Sequence, residues 1–443
     1  MHRPSHRPAI TPMVIVALLT ALALGSCGQS MSSGVAPTPG EASSTQSGGG
    51  GGSTDVMIPG QIVVTLAPGV EPGALGAAHG ARLLEYEAEE RAATFAPIPP
   101  LTDLQLLAAL LADPRVVTAE PNLYLESTEA RQQSFAFDDG AGTPTGFSEQ
   151  PAVQAIHLLR AHEVALGSGV IVALLDTGID RRHPLLRSAY AGGIDFVDRD
   201  SDPSEVANGI DDDGDGNIDE AFGHGTHVAG IIHLVAPEAR LLSVRVLDSD
   251  GRGDIQSVAA GVRWAVAHGA KVINLSLGSL KGADALQNAL EEAENHGVIV
   301  LASAGNWGSD TPVEFPARSS HVAAIAAVDA NGTPAAFSSY GNMVALCAPG
   351  VGVRSTYPGN RFRLWNGTSM SAPFVTGTVA LLAEMHPAWN LTDMMDRITA
   401  TARPLAIYSQ AFGAGTLDAG AALLPDLRSR IDDVPPAEVI RRR

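Results

Sequence analysis

Cysteine is nearly absent: the chain of 443 residues has two, Cys27 and Cys347. Cys27 falls in a targeting segment, so a structural disulfide between the two is not expected. Cys347, within Val344-Ala345-Leu346-Cys347-Ala348-Pro349, reads as a small buried apolar residue. Positive charge is scarce too, with 28 Lys and Arg against 48 Asp and Glu and a net charge of −20. That balance argues against nucleic acid as a partner. Two further absences narrow the chemistry. His224 and His227 stand three apart with no Glu between them, unlike the helix of a zinc protease, which discounts zinc. Counted from Asp211, the twelfth position of the acidic stretch holds Phe222 rather than Glu, so the stretch is not an EF-hand.

What is present allows two or three domains and a large core, with a normal apolar fraction of 45%. Arg3, His6 and Arg7 precede an apolar run from Met13 to Leu24, short for a membrane span and suited to a signal peptide. Leu24-Gly25-Ser26-Cys27 follows and resembles the bacterial lipobox. The resemblance implies cleavage before Cys27, acylation of that cysteine and a lipid anchor on the cell envelope. The alternative is an ordinary signal peptide with an incidental cysteine. Residues 27–55 are Gly/Ser-rich and read as a flexible tether.

Three separated stretches carry the chemistry. The apolar run Val170 to Leu175 suits a strand buried on both faces of a parallel sheet and ends in Asp176-Thr177-Gly178. Gly223-His224-Gly225-Thr226-His227-Val228-Ala229-Gly230 opens an apolar helical run, with His224 as candidate base and His227 packed inside. In Asn366-Gly367-Thr368-Ser369-Met370-Ser371-Ala372-Pro373 a small-residue turn leads into a helix expected over Phe374 to Met385, with Pro373 in its first turn. Taken alone, Ser369 or Thr368 could be a simple N-cap.

Together and in this order, the three motifs resemble the subtilisin-type serine proteases, over about residues 150–424. The resemblance implies a serine endopeptidase with Ser369 as nucleophile, His224 as general base and Asp176 as its orienting acid. Leu301-Ala302-Ser303-Ala304-Gly305-Asn306 resembles the strand that ends in the oxyanion asparagine, which makes Asn306 the side-chain donor and places Gly305 in the substrate site. By the same resemblance Ser276, Leu277 and Gly278 wall the pocket for the side chain before the scissile bond, and Gly251 and Gly253 form the other rim. No acidic residue marks the pocket floor in the sequence, which suggests apolar or broad preference. Phe315-Pro316-Ala317 resembles a segment beside that pocket with a cis proline bond.

The implied fold is α/β, a doubly wound, mostly parallel sheet over residues 151–426, preceded by a small α+β ferredoxin-like prodomain over residues 56–126. In the prodomain, strands are expected at Gln61 to Leu66, near Leu84 to Ala88, at Ala92 to Ile98 and at Val116 to Leu125. Helices are expected at Pro72 to Leu84 and Thr102 to Ala112. Its end, Pro114-Arg115-Val116-Val117 to Glu120-Pro121-Asn122, is similar to subtilisin-type propeptides, which implies an intramolecular inhibitor. A separate binding module is the alternative. Residues 127–150 read as a polar linker with a processing site near Asp138-Asp139-Gly140, and residues 427–443 as a frayed tail.

Asp211, Asp213 and Asp215 alternate through the acidic insert and Asp219 follows four residues on, with glycines at the turns. Hard oxygen donors in that pattern, and similar inserts in other subtilases, imply structural calcium; a solvated acidic loop is the alternative. The expected partners are a protein or peptide substrate, the chain's own prodomain and a membrane reached through Cys27. The expected location is the bacterial cell envelope, facing outward, or secreted after processing. The rival to the enzyme is a surface lipoprotein that binds peptides or a partner on the same scaffold without cutting them.

Overall fold

A computed structural model describes residues 57–88, 91–131, 134–138, 143–310, 313–405 and 411–424. The signal segment, the tether, Asp139-Gly140 and the C-terminal tail lie outside the described residues.

The chain begins with strand β1 (Met57–Leu66), helix α1 (Pro72–Ala78), strands β2 (Ala81–Glu87) and β3 (Ala92–Pro97), helix α2 (Asp103–Leu111) and strand β4 (Val116–Glu126). This is the expected β-α-β-β-α-β order. Thr102 starts α2 with a capping box to Gln105. Helix α1 stops at Ala78, six residues before the expected end. Gly80, at φ +64°, turns the chain there, and Leu83 and Leu84 join β2. Ile62, Val64, Leu75, Phe95, Leu106 and Leu110 form the core of this unit.

After a single turn, α3 (Thr128–Arg131), come three short helices, α4 (Pro144–Ser148), α5 (Pro151–Ala155) and α6 (Leu158–Ala161). Then follow β5 (Ile171–Asp176), β6 (Tyr190–Asp195), α7 (His224–Val235), β7 (Arg240–Arg245), β8 (Arg252–Asp254), α8 (Ile255–Ala267) and β9 (Val272–Leu275). The chain continues through α9 (Asp284–Asn295), β10 (Ile299–Ser303), β11 (Val322–Val328), β12 (Val344–Pro349), β13 (Val353–Tyr357) and β14 (Arg361–Trp365). It closes with α10 (Thr368–Met385), α11 (Leu391–Thr401) and α12 (Ala419–Leu423).

Seven strands form one parallel sheet in the order β12-β11-β10-β9-β5-β7-β6. Its strands are apolar on both faces because helices cover both. Val172, Leu174, Ile299 and Leu301 face α7 and α10, while Ala173, Leu175, Ile273 and Val300 face α8 and α9. Cys347 is buried in β12, and burial pushes its thiol up to about 12. The strand order reverses around β5, and the crevice beyond its carboxyl end is where such sheets place their chemistry.

The two units share backbone bonds. Strand β4 extends the small sheet to β8, in the order β2-β3-β1-β4-β8, with Tyr124 opposite Asp254, Leu125 opposite Gly253 and Glu126 opposite Arg252.

Candidate active site

Asp176 ends β5, almost wholly buried. Its Oδ1 accepts Thr177 N–H at 2.8 Å and lies 2.7 Å from His224 Nδ1, so that ring nitrogen carries a proton. His224 opens α7 behind Gly223, whose φ of +95° and closeness to the Tyr357 ring admit no side chain. Trp365 packs edge-on against both His224 and His227, with centroids 5.3 and 5.7 Å away. His227 directs Nε2 at the carbonyls of Val353 and Arg363, and burial beside His224 lowers it to about 3. It is a neutral packing residue.

Helix α10 begins at Thr368, six residues before the expected start, so Ser369 lies in its first turn and Pro373 inside the helix. Pro373 has no N–H to give the Ser369 carbonyl. Ser276 Oγ donates to that carbonyl instead, at 3.3 Å, and Ser369 Oγ donates to the Ser276 carbonyl, also at 3.3 Å. Asn306 Oδ1 accepts Thr368 N–H at 3.0 Å and Thr368 Oγ1–H at 2.9 Å. That fixes the amide, so Nδ2 points toward Ser369. Thr368, which also accepts Gly305 N–H at 3.2 Å, is a positioning group that the sequence reading left as a possible cap.

A stretch read as the start of a linker fills this site. Glu126 and Gly278 exchange two backbone bonds, of 3.1 and 2.9 Å, and Ser127 N–H donates to Gly251 O at 2.7 Å. Gly251, Gly253 and Gly278 therefore grip the chain's own extended segment. Thr128 Oγ1 comes within 3.1 Å of Ser369 Oγ. Glu129 is fully buried. Its Oε1 accepts from Asn306 Nδ2 at 2.9 Å and Ser369 N–H at 3.2 Å. Its Oε2 lies 3.1 Å from His224 Nε2 and accepts from Thr128 Oγ1 at 3.0 Å. Burial opposes charge on both partners. The carboxylates of Asp176 and Glu129 nonetheless raise His224 to about 10, and bonds from His224, Ser369 and Asn306 bring Glu129 below the usual carboxylate range.

Three acids that the sequence reading did not single out stand close by. Glu205 is enclosed, accepting from the Thr177 and Thr226 hydroxyls, from Gly223 N–H at 2.7 Å and from Thr226 N–H at 2.9 Å. It ties the Asp176 turn to the start of α7, and burial pushes it up to about 7. Glu314 is an acid that the expected pocket, read from Ser276, Leu277 and Gly278, does not include. It is buried where a Cβ on Gly278 would overlap its carboxylate and one on Gly305 would touch its stem, and its Oε1 accepts from Trp307 Nε1 at 2.6 Å. Leu277 is buried, and the Phe315–Pro316 bond is cis, as expected. Nothing in the local sequence marks Glu205, whose partners Thr177, Gly223 and Thr226 are distant in the chain.

Asp211, Asp213 and Asp215 bring carboxylate oxygens within 4.8 Å of one another. Asp219 does not join them; it turns away to accept the N–H groups of Asn208 and Gly209, a correction to the expected ligand set. Glu220 is the third unforeseen acid. Both its oxygens are buried without a hydrogen-bond partner, and burial together with Asp250, Asp213 and Asp215 pushes it up to about 8.

Comparison with known proteins gives the same answer as the geometry. The subtilase family model, Peptidase_S8, matches residues 167–415, more than half of the chain. The chain belongs to the subtilase family. Thermitase of Thermoactinomyces vulgaris is 42% identical over 53% of this chain and 82% of its own length. Subtilisin BL of Lederbergia lenta is 42% identical over 61% of this chain and 97% of its own. Fervidolysin of Fervidobacterium pennivorans, a keratinolytic enzyme related to subtilisin, superposes with a TM-score of 0.70 at 25% identity. That match covers 83% of this chain and 61% of fervidolysin. With these relatives the subtilase at hand is a serine endopeptidase of the subtilisin fold.

Proposed function

We propose that this subtilase cuts peptide bonds through an acyl-enzyme on Ser369. Ser369 Oγ attacks the substrate carbonyl, and His224 Nε2 takes its proton and passes it to the leaving amine. Asp176 holds the ring in that tautomer and stabilises the imidazolium. Asn306 Nδ2 and Ser369 N–H receive the oxyanion. One observation carries the reading: those two donors converge on a single oxygen, Glu129 Oε1, while His224 Nε2 stands 3.1 Å from its twin. A carboxylate so held outlines the place of a tetrahedral centre. Gly251, Gly253 and Gly278 would pair with substrate backbone as they pair with residues 124–127. Ser276, Leu277, Gly278 and Gly305 would surround the side chain before the cut, over Glu314.

A fluorophosphonate probe tests this against the non-catalytic binder. Trimmed wild-type protein should label and Ser369→Ala should not, with peptide hydrolysis falling by about 10³ or more. Absence of labelling in the trimmed protein would favour the binder.

Residues 56–126 serve as an inhibitor domain in this reading, supported by the strand β4 lends to β8 and by the occupied cleft. Residues 127–150 lead from it to the catalytic unit at 151–426. Calcium fits the acidic loop: Asp211, Asp213 and Asp215 offer hard oxygens, and the orphaned Glu220 carboxylate adds nearby negative charge. Its contribution would be structural, tying down the insert that precedes His224. The lipid anchor at Cys27 rests on sequence alone; Cys27→Ser should release the protein from the membrane fraction, and continued membrane association would count against the anchor.

A further inference from the structure

Product-like occupation of a cleft by an extended strand needs only backbone pairing, and residues 124–127 supply that. Glu129 does something more. By register, Ser127 pairs with Gly251, Thr128 comes next against Ser369, and the bond presented to the nucleophile is Thr128–Glu129. In a productive complex the Thr128 carbonyl would take the two oxyanion donors. Here both donors are spent on the Glu129 side chain.

We propose that the Glu129 carboxylate is the ligand of the oxyanion hole in the intact chain, and that it keeps the Thr128–Glu129 bond from being cut. The inference rests on the peptidase reading above and names the regulation of the same site.

Three features of the site act together. The donors to Glu129 are complementary: two from the hole on Oε1, and two from His224 and Thr128 on Oε2. A carboxylate out of water needs such partners, and charge-assisted bonds are the strong kind. The positive end of α10 adds to them, since Ser369 N–H is one of its unpaired first-turn donors.

The base is occupied as well. His224 gives Nδ1–H to Asp176 and Nε2–H to Glu129, so it has no lone pair for the Ser369 proton. The hydrogen bonds of Ser369 Oγ run to Thr128 and Ser276, and none runs to His224. One side chain thus blocks both the hole and the base. Space for it depends on Gly367, where a Cβ would collide with Glu129 Oε1.

Without the carboxylate the ordinary reaction becomes available to the segment. Ser369 Oγ bonds to the Thr128 carbonyl carbon and its proton passes to His224. The bond to the nitrogen of residue 129 breaks as that proton moves to the leaving amine, and water then frees the Thr128 carboxylate. The inhibitor becomes a substrate.

The test uses the full chain as wild type, Glu129→Ala, Glu129→Gln and Glu129→Ala with Ser369→Ala. Fluorophosphonate labelling and the mass of self-cleaved fragments are followed after thermal melts establish that each is folded. Wild type should label slowly and stay whole between residues 128 and 129. Glu129→Ala should label about ten- to a hundredfold faster and split at that bond, Glu129→Gln should fall between, and the double variant should do neither. Wild type trimmed in the folded state by a metalloprotease reports the site itself. If trimmed wild type labels but folded Glu129→Ala and Glu129→Gln label no faster than intact wild type, the role given to Glu129 is overturned. If trimmed wild type fails to label, the peptidase reading fails first and this inference with it.

Discussion

Glu129 and Glu220 both have carboxylate oxygens out of water, and their surroundings differ completely. Glu129 is met by an imidazolium, an amide, a helix N–H and a hydroxyl, and its acidity is strengthened. Glu220 has no such set of donors; burial first, and like charge from Asp250, Asp213 and Asp215 second, weaken its acidity. The chain compensates the first negative charge from within. It does not compensate the second, and the calcium proposed above would supply what is missing there.

The comparison can be broken most severely at the catalytic end, by pH. His224 is raised to about 10, so its pairing contributes stability in full below the ordinary histidine value and loses it as pH rises through about 10. Glu129 is lowered, so its contribution is present above the ordinary carboxylate value and is lost as pH falls through the lowered one. The clasp therefore holds across the whole neutral range. The other ionisable groups facing it are Asp176 on the Nδ1 side, Glu205 behind Asp176, and His227, which is neutral. Labelling of the intact chain should rise about tenfold per pH unit on approaching 10, as the deprotonated fraction of His224 grows. Glu129→Ala removes one of the two carboxylates that raise His224, so its profile should move to lower pH. Superimposable profiles would show that Glu129 is not part of the clasp.

A smaller effect is expected at the acidic loop. Glu220 is raised to about 8 and Asp213 to about 6, in each case by burial first and by neighbouring acids second. A raised carboxylate contributes stability below its unfolded value and loses it as pH climbs through the folded one. In chelator, the melting temperature should fall between pH 5 and 9 by a few degrees; millimolar calcium should flatten that fall. Asp213→Asn sharpens the distinction. It should raise the melting temperature in chelator, by relieving repulsion, and reduce the gain from calcium. A melt indifferent to chelator and calcium at every pH would place the loop among ordinary solvated acids.

These two regions also mark what could be read from the sequence. The motifs at Asp176, His224 and Ser369 were legible because each is contiguous and sits at the end of a strand or the start of a helix. The sheet was legible because runs such as Val170 to Leu175 are apolar at every position, as burial on both faces requires. The role of Ser127-Thr128-Glu129 was not. Its composition is that of a linker, and its meaning comes from pairing with Gly251 and Gly278 and from contacts with Asn306 and Ser369, all more than a hundred residues away. The start of α10 was misplaced because Pro373 looked like an opening residue. A proline is tolerated deeper in the helix here since Ser276 serves the carbonyl it neglects. Asp219 joins the loop's trio only through the likeness to acidic inserts of other subtilases, whereas its orientation is set by two backbone N–H groups.

Helix α10 is enclosed from Thr368 to Ala383, packed against the parallel sheet and against α7. The reactive alcohol is therefore mounted on the keel of the fold and not on a rim that could drift by itself. Any change that loosens this interior, however far from the cleft, tilts the attacking atom, so loss of turnover should register damage to the hull before the melt does.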